Sequence, residues 1–266
     1  MTDAPAVPLD SAVLPQGSLM PLLGFGTWQI TGQDAVRATT AALEAGYRHL
    51  DTATVYGNEG EVGRALAESG VPRAEVFLTT KCPPDNLGRE LDTLRESLDL
   101  LQTDHVDLWL IHWPADDAAN VELWRALVQA RESGLAREIG VSNFDARLID
   151  LVAGATGVTP AVNQIEWSPL LFDADVVAAH RERGVVLEGY SALRGGTLDH
   201  PAIVAVAERL GRTPAQVIIR WHLQHGTVVI PKSVNPERIR SNADIGDFAL
   251  TEEDLAILDG LAGRSS

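Results

Sequence analysis

A repeated alternation runs along the whole sequence and limits the folds open to it. Short apolar runs are separated by longer stretches in which apolar residues recur at helical spacing. The short runs lie at residues 21–24, 49–51, 76–81, 106–112, 138–142, 161–165, 185–190 and 228–232. Several are continuously apolar, as in Val106-Asp-Leu-Trp-Leu-Ile111, which suits parallel strands covered on both faces. Between them, Val36, Thr40 and Leu43 recur at i, i+4, i+7 within 34–45, and Leu91, Leu94, Leu98 and Leu101 share one face of 91–101. The same spacing returns at 121–133, 145–153, 173–183 and 203–210, and Thr213-Pro-Ala-Gln opens a further helix with an N-cap and a proline at N1. Roughly eight strand–helix units in a chain of 266 residues predict an α/β fold, a (β/α)8 TIM barrel forming one domain over residues 1–266, since such barrels run to ~250 residues. A doubly wound open sheet, which needs fewer strands, is the competing architecture. Residues 7–19, turning at Gln16-Gly17, are expected to form an N-terminal hairpin capping the barrel bottom.

Charge and cysteine content narrow the function. The formal net charge of −16 repels phosphate backbones and argues against general nucleic-acid binding. An anionic ligand must therefore meet a local basic site that overrides this field. Cys82 is the only cysteine, so no intrachain disulfide can form. The N-terminus lacks a basic region followed by an apolar run, and no apolar stretch approaches the ~20 residues that cross a bilayer. The expectation is a soluble cytoplasmic protein with no membrane partner.

In a barrel of this kind, the C-terminal ends of the strands face the active site. Those ends carry Asp51, followed by Tyr56 in the next loop, then Lys81, then His112 with Trp113 beside it. Lysine usage adds an independent signal. Lys81 and Lys232 are the only lysines, and every other such cation is arginine, so lysine at two strand ends points to a task for a compact ammonium. A tyrosine, with an ordinary pKa of about 10, is a weak acid at neutral pH, and an adjacent ammonium is expected to lower that value. A carboxylate paired to the lysine keeps it charged and in place. The set makes a general acid suited to an oxygen that gains negative charge, as in carbonyl reduction by hydride. No metal site is expected.

Hydride transfer needs a cofactor. The dinucleotide fingerprint is absent, because Gly24-Phe-Gly-Thr-Trp-Gln29 has Gln where the third glycine belongs. Another solution lies in Pro231-Lys-Ser-Val-Asn-Pro-Glu-Arg238, after the last strand and before a short helix containing Arg238 and Arg240. Barrels often bind phosphate near strands seven and eight, and Lys232, Ser233 and Arg238 are candidates for a phosphate clamp.

Six motifs in order carry a family resemblance: Gly24-Phe-Gly-Thr-Trp28, His49-Leu-Asp-Thr-Ala-Thr-Val-Tyr-Gly-Asn-Glu59, Leu110-Ile-His-Trp-Pro114, Gly140-Val-Ser-Asn-Phe144, Val162-Asn-Gln-Ile-Glu166 and Ile230-Pro-Lys-Ser-Val-Asn-Pro-Glu-Arg238. From about Leu22 to about Leu261 the chain resembles the aldo-keto reductases, most closely the bacterial branch that includes the 2,5-diketogluconate reductases. The resemblance implies an NADPH-dependent reductase of aldehydes and ketones, with a small-molecule carbonyl substrate and a monomeric state. It implies a catalytic tetrad of Asp51, Tyr56, Lys81 and His112, with Tyr56 as proton donor. Ser142, Asn143 and Gln164 match the residues that hydrogen-bond the nicotinamide carboxamide, and Tyr190 the aromatic stacked on its ring. Ser191 and Leu193 lie in the loop following the pyrophosphate. Gly26, Thr27 and Asp51 belong to the cofactor-facing set, as does Val234 within the Lys232, Ser233, Arg238 clamp on the 2′-phosphate. Asn242 matches an adenine contact. Trp28 and Trp113, with Tyr56 and His112, match the substrate pocket, buried packing being the alternative for Trp113.

Three departures imply an open pocket and broad specificity. Cys82-Pro-Pro84 stands where many relatives carry an aromatic, Ser241 replaces an acidic or amide side chain, and the chain ends at Ser266 without a long tail. Cys82 is expected to be a packing residue. Two other functions compete: a nicotinamide-binding sensor or regulatory subunit with little turnover, and a Schiff-base aldolase using Lys81 as nucleophile.

Overall fold

The computed structural model describes residues 11–262. The expected hairpin's residues 7–10, the N-terminal sequence read for a leader, and the chain end at Ser266 lie outside them. In chain order the strands are β1 (Ser11–Val13), β2 (Leu19–Pro21), β3 (Phe25–Gly26), β4 (His49–Asp51), β5 (Phe77–Cys82), β6 (Val106–Ile111), β7 (Ala136–Ser142), β8 (Val162–Glu166), β9 (Val186–Tyr190) and β10 (Val228–Val229). The α-helices are α1 (Gly32–Glu44), α2 (Glu59–Glu68), α3 (Glu90–Leu101), α4 (Asp117–Glu132), α5 (Ala146–Thr156), α6 (Ala174–Glu182), α7 (Pro201–Leu210), α8 (Pro214–Gln224), α9 (Pro236–Ala243) and α10 (Glu252–Asp259).

Strands β3 to β10 pair in sequence order, each parallel to the next. The sheet closes on itself where Leu23 bridges Val229 in parallel, with Gly24 N donating to Val229 O and Val229 N to Leu22 O. Gly26 continues the seam, donating to Pro231 O, and a Cβ there would meet Ile230 O at 2.7 Å. The fold is the expected (β/α)8 barrel, and the open-sheet alternative falls. β1 and β2 form the expected antiparallel hairpin, pairing Ser11 with Pro21 and Val13 with Leu19. Its return strand runs to Pro21, so residue 21 belongs to the hairpin and the first barrel strand starts later than read from the sequence.

The helices form where the spacing predicted, and two more exist besides. α2 and α10 lie in stretches not read as helices: α2 buries only Val62, Ala65 and Leu66 among large or medium apolar side chains, beside Gly63 and Glu59, a pattern too sparse to read. α4 shows the usual logic. Asp116 caps it by accepting from Ala119 N, and Leu123, Trp124, Leu127 and Ala130 are buried along one face. Each such leucine removed from water contributes about 1.5–3 kcal/mol.

The period of two along each strand decides what fills the barrel. His49 and Asp51 on β4, Thr79 and Lys81 on β5, Gln164 on β8 and Glu188 on β9 are all buried. Register ties them together: Asp51 is opposite Thr79, and Gln164 opposite Glu188. Most of a barrel's inward layers are branched apolar residues. Here one layer near the C-terminal rim is polar.

Candidate active site

Above that layer opens a cleft of about 1040 Å³. At its floor, Lys81 is fully buried and donates to Asp51 Oδ1 at 2.7 Å, Asp51 Oδ2 at 2.8 Å, the Thr52 carbonyl at 2.8 Å and the Tyr56 hydroxyl at 3.4 Å. Its Nζ also lies 5.0 Å from the centre of the Tyr56 ring. Burial by itself disfavours the Lys81 ammonium, but the Asp51 carboxylate outweighs it with help from Tyr56, and the amine is held above its ordinary value. An amine so held is a cation with its protons engaged, which argues against the Schiff-base alternative.

Tyr56 and His112 meet edge to face with ring centres 5.6 Å apart, and Trp113 stacks on His112. The expected lowering of the phenol does not win. Burial pushes Tyr56 above its ordinary value, and Lys81 opposes this without overcoming it, because Asp51 and Glu188 offset part of the ammonium's field. Burial, with Lys81 adding to it, pushes His112 down to about 3, so its imidazole is neutral. Trp113 is 50% exposed, which removes buried packing as its explanation.

The second wall is a chain of fixed polar groups. Ser142 donates to Gln164 O at 2.8 Å, Asn143 Nδ2 to Ser142 Oγ at 3.0 Å, and the Tyr190 hydroxyl to Asn143 Oδ1 at 2.9 Å. Gln164 Nε2 donates to Asp51 Oδ2 at 2.8 Å and to Glu188 Oε2 at 3.0 Å. Among the described residues four that are not glycine have φ in the left-handed region, and three of them, Gln29, Asn143 and Ser191, line the cleft. Strain of this sort concentrates where a surface is shaped for a ligand.

At the far end Lys232, Ser233, Arg238, Ser241 and Asn242 line the same cleft. Among the described residues neither Lys232 nor Arg238 has a carboxylate within 4 Å, although most cations of this acidic chain do. The first turn of α9 is already capped by Asn235, whose side chain accepts from Glu237 N and Arg238 N. An anion there would meet the side chains of Lys232, Ser233 and Arg238.

Of the residues singled out in the sequence, Gly26, Trp28, Asp51, Tyr56, His112, Trp113, Ser142, Asn143, Gln164, Tyr190, Ser191, Leu193, Lys232, Ser233, Arg238 and Asn242 all line this one cleft. Three do not. Lys81 lies behind Asp51 and Tyr56. Thr27 is buried, its hydroxyl donating to Asp51 O. Val234 is outside the lining and is 54% exposed. Cys82 is fully buried with its thiol pushed up to about 12, chiefly by burial, as a packing residue should be.

Sequence reading missed Arg194 and Glu188. The Arg194 guanidinium sits 5.0 Å from the centre of the Trp28 ring, and both residues line the cleft. Glu188 was legible in principle, as one acid inside the apolar run Val185-Val-Leu-Glu-Gly-Tyr190.

Residues 22–262 match the model of the Aldo/keto reductase family. An aldo-keto reductase of Mycolicibacterium vanbaalenii is 51% identical over 265 residues, covering 98% of this chain and 94% of the relative. A solved chain provisionally designated 2,5-diketo-D-gluconic acid reductase B is 41% identical, with a TM-score of 0.90 over 95% of this chain and 91% of that one. The aldo-keto reductase of Bombyx mori, solved in complex with NADP, is 36% identical, with a TM-score of 0.88 over 97% of this chain and 94% of that one. These matches bear out the likeness read from the six motifs.

Proposed function

The chain belongs to the aldo/keto reductase family, and we propose that it reduces aldehydes and ketones to alcohols with NADPH, Tyr56 giving the proton. The reading treats residues 1–266 as one catalytic domain acting as a monomer in the cytoplasm, on a small carbonyl compound. Among the described residues no helix is long and apolar enough to cross a membrane.

The observation that carries the reading is the Lys81–Tyr56 contact at 3.4 Å, with Lys81 locked by both oxygens of Asp51 at the cleft floor. NADPH, when bound, supplies a hydride. The residues present fit it: the cations Lys232 and Arg238, with no carboxylate partner among the described residues, suit a 2′-phosphate, with Ser233 between them. Ser142, Asn143 and Gln164 offer fixed amide and hydroxyl groups to a carboxamide, and Tyr190 an aromatic face. Ser191 and Leu193 follow along the cleft, Asn242 serves the adenine end, and Gly26 leaves the wall free of a side chain.

Tyr56 holds its proton at Oη until the carbonyl oxygen becomes a stronger base than the phenolate left behind. Lys81 stabilises that phenolate, which is why a phenol held high in the resting cleft still serves as the acid. Neutral His112, beside Tyr56, orients the carbonyl oxygen toward the hydroxyl, and Trp28 and Trp113 wall the substrate.

The test is loss of reduced-nicotinamide absorbance with NADPH, then NADH, across aldehydes, α-dicarbonyls and keto-sugars. Turnover with NADPH is expected. Tight NADPH binding without turnover on any of them would instead favour a sensor.

A further inference from the structure

Behind the cleft wall lies a buried acid that the mechanism leaves unused. Glu188 is fully buried on β9, with Gln164, His49, Asp51, Lys81 and Tyr56 as the polar and titratable groups around it. The cluster contains two carboxyls, Asp51 and Glu188, and one certain cation, Lys81, which is spent on Asp51.

The surroundings of Glu188 favour its neutral form. His49 Nδ1 lies 3.2 Å from the Pro21 carbonyl oxygen, which can only accept, so that nitrogen carries the hydrogen. His49 Nε2 is therefore a lone pair; the Thr79 hydroxyl lies 3.4 Å from it, and Glu188 Oε1, an oxygen with no hydrogen-bond partner, faces it at 3.7 Å. An ionised Oε1 would be a buried anion with no donor to hold it and a lone pair facing it, whereas the neutral acid leaves no charge uncompensated there. Burial agrees, pushing Glu188 up to about 8 and His49 down to about 4. Glu188 Oε2 is left to accept from Gln164.

Gln164 has two amide hydrogens, and both carboxyls take one. Flipping the amide would turn its oxygen onto two carboxyl oxygens. The Gln164 oxygen is thus turned away from both carboxyls, in a residue that lines the cleft.

We propose that Glu188 is a positioning residue of this cleft: its neutral carboxyl shares the Gln164 amide with Asp51 and so presents the Gln164 oxygen to the nicotinamide carboxamide, and loss of its proton tilts the site toward the oxidised cofactor. The second half follows from charge. Ionised Glu188 changes the cluster from neutral to singly negative, one side chain away from the cleft, and the nicotinamide ring is positive only when oxidised. The inference rests on the cofactor reading above.

The experiment measures Kd for NADPH and NADP+ by fluorescence titration between pH 7 and 9.5, in wild type, Glu188→Gln and Glu188→Leu, with thermal unfolding recorded for each. Both cofactors carry the same phosphates, so their ratio cancels the phosphate end. In wild type the preference for NADP+ over NADPH should rise about tenfold through pH 8, the size expected of one charge at this remove. Glu188→Gln, which keeps a neutral acceptor, should hold that ratio flat. Glu188→Leu should weaken both cofactors about tenfold at pH 7, through loss of Gln164 orientation, with Glu188→Gln recovering most of it. A ratio that rises equally in Glu188→Gln, or Glu188→Leu binding as tightly as Glu188→Gln, would overturn the proposal. A wild-type protein binding neither cofactor would instead overturn the function on which it rests.

Discussion

Lys81 donates to both carboxylate oxygens of Asp51, at 2.7 and 2.8 Å, and neither side chain shares that contact with solvent. Removing one partner leaves the other charge buried and uncompensated. Lys81→Met should cost about 3–5 kcal/mol of stability, and Asp51→Asn combined with Lys81→Met should recover part of it. Urea unfolding of the three proteins decides this. A single Lys81→Met variant as stable as wild type would mean that solvent reaches Asp51.

Arg238 lines the cleft without a carboxylate partner among the described residues. If it grips the 2′-phosphate, Arg238→Ala loses a charge-assisted contact of about 1.5–3 kcal/mol, or roughly 10- to 100-fold in NADPH affinity. NADH affinity should barely change. Isothermal titration of both cofactors reads the difference, and equal losses would deny Arg238 that role.

Gly140 on β7 has no room for a side chain, since a Cβ there would meet Val162 O at 2.5 Å and Leu110 Cδ2 at 2.7 Å. Both neighbours belong to adjoining strands of the barrel wall. Gly140→Ala should therefore destabilise by about 1–3 kcal/mol. Because Ser142 and Asn143 follow directly on this strand, it should also weaken NADPH binding. A melting temperature unchanged from wild type would show that β7 and β8 can part at no cost.

Stability should peak near pH 6.5. Burial holds His49 and His222 at about 4 and His112 at about 3, below the ordinary 6.5 of the unfolded chain. Their contribution is complete above pH 6.5 and is lost as pH falls toward 4, because only the unfolded chain binds those protons. Glu188 runs the other way. It keeps a proton up to about 8 that the unfolded chain gives up near 4.5, so its contribution fades as pH rises between those values. Three histidines outweigh one glutamate on the acid side, leaving Glu188 to cause a decline from 6.5 to 8. Melting temperatures across pH 4 to 9 should show this dome, and Glu188→Gln should flatten its alkaline side.

The barrel and most of the cleft were legible because both rest on local signals. Buried parallel strands must be apolar over several residues, and a lysine at a strand end stands out in a chain with only two. The helices missed, α2 and α10, carry narrow apolar faces on acidic stretches, so periodicity gave little to read. The Tyr56 shift went the other way for a reason no spacing reveals: burial of the phenol and the nearness of Asp51 and Glu188 together outweigh one ammonium. Arg194 stacks on Trp28 across more than 160 residues of sequence, a distance only the closed fold spans. Glu188 was one acid in an apolar run, and its meaning depended on which way the strand faced.

In the proposed reaction the Tyr56 hydroxyl supplies the proton from beside Lys81. Tyr56→Phe removes one oxygen and leaves the ring in place against His112. Single-turnover and steady-state rates with NADPH, measured beside NADPH affinity, test it most directly. The expected result is an affinity close to wild type with kcat down by at least ~100-fold, the usual worth of a general acid. A Tyr56→Phe protein that binds NADPH and reduces aldehydes at near wild-type rates would contradict it.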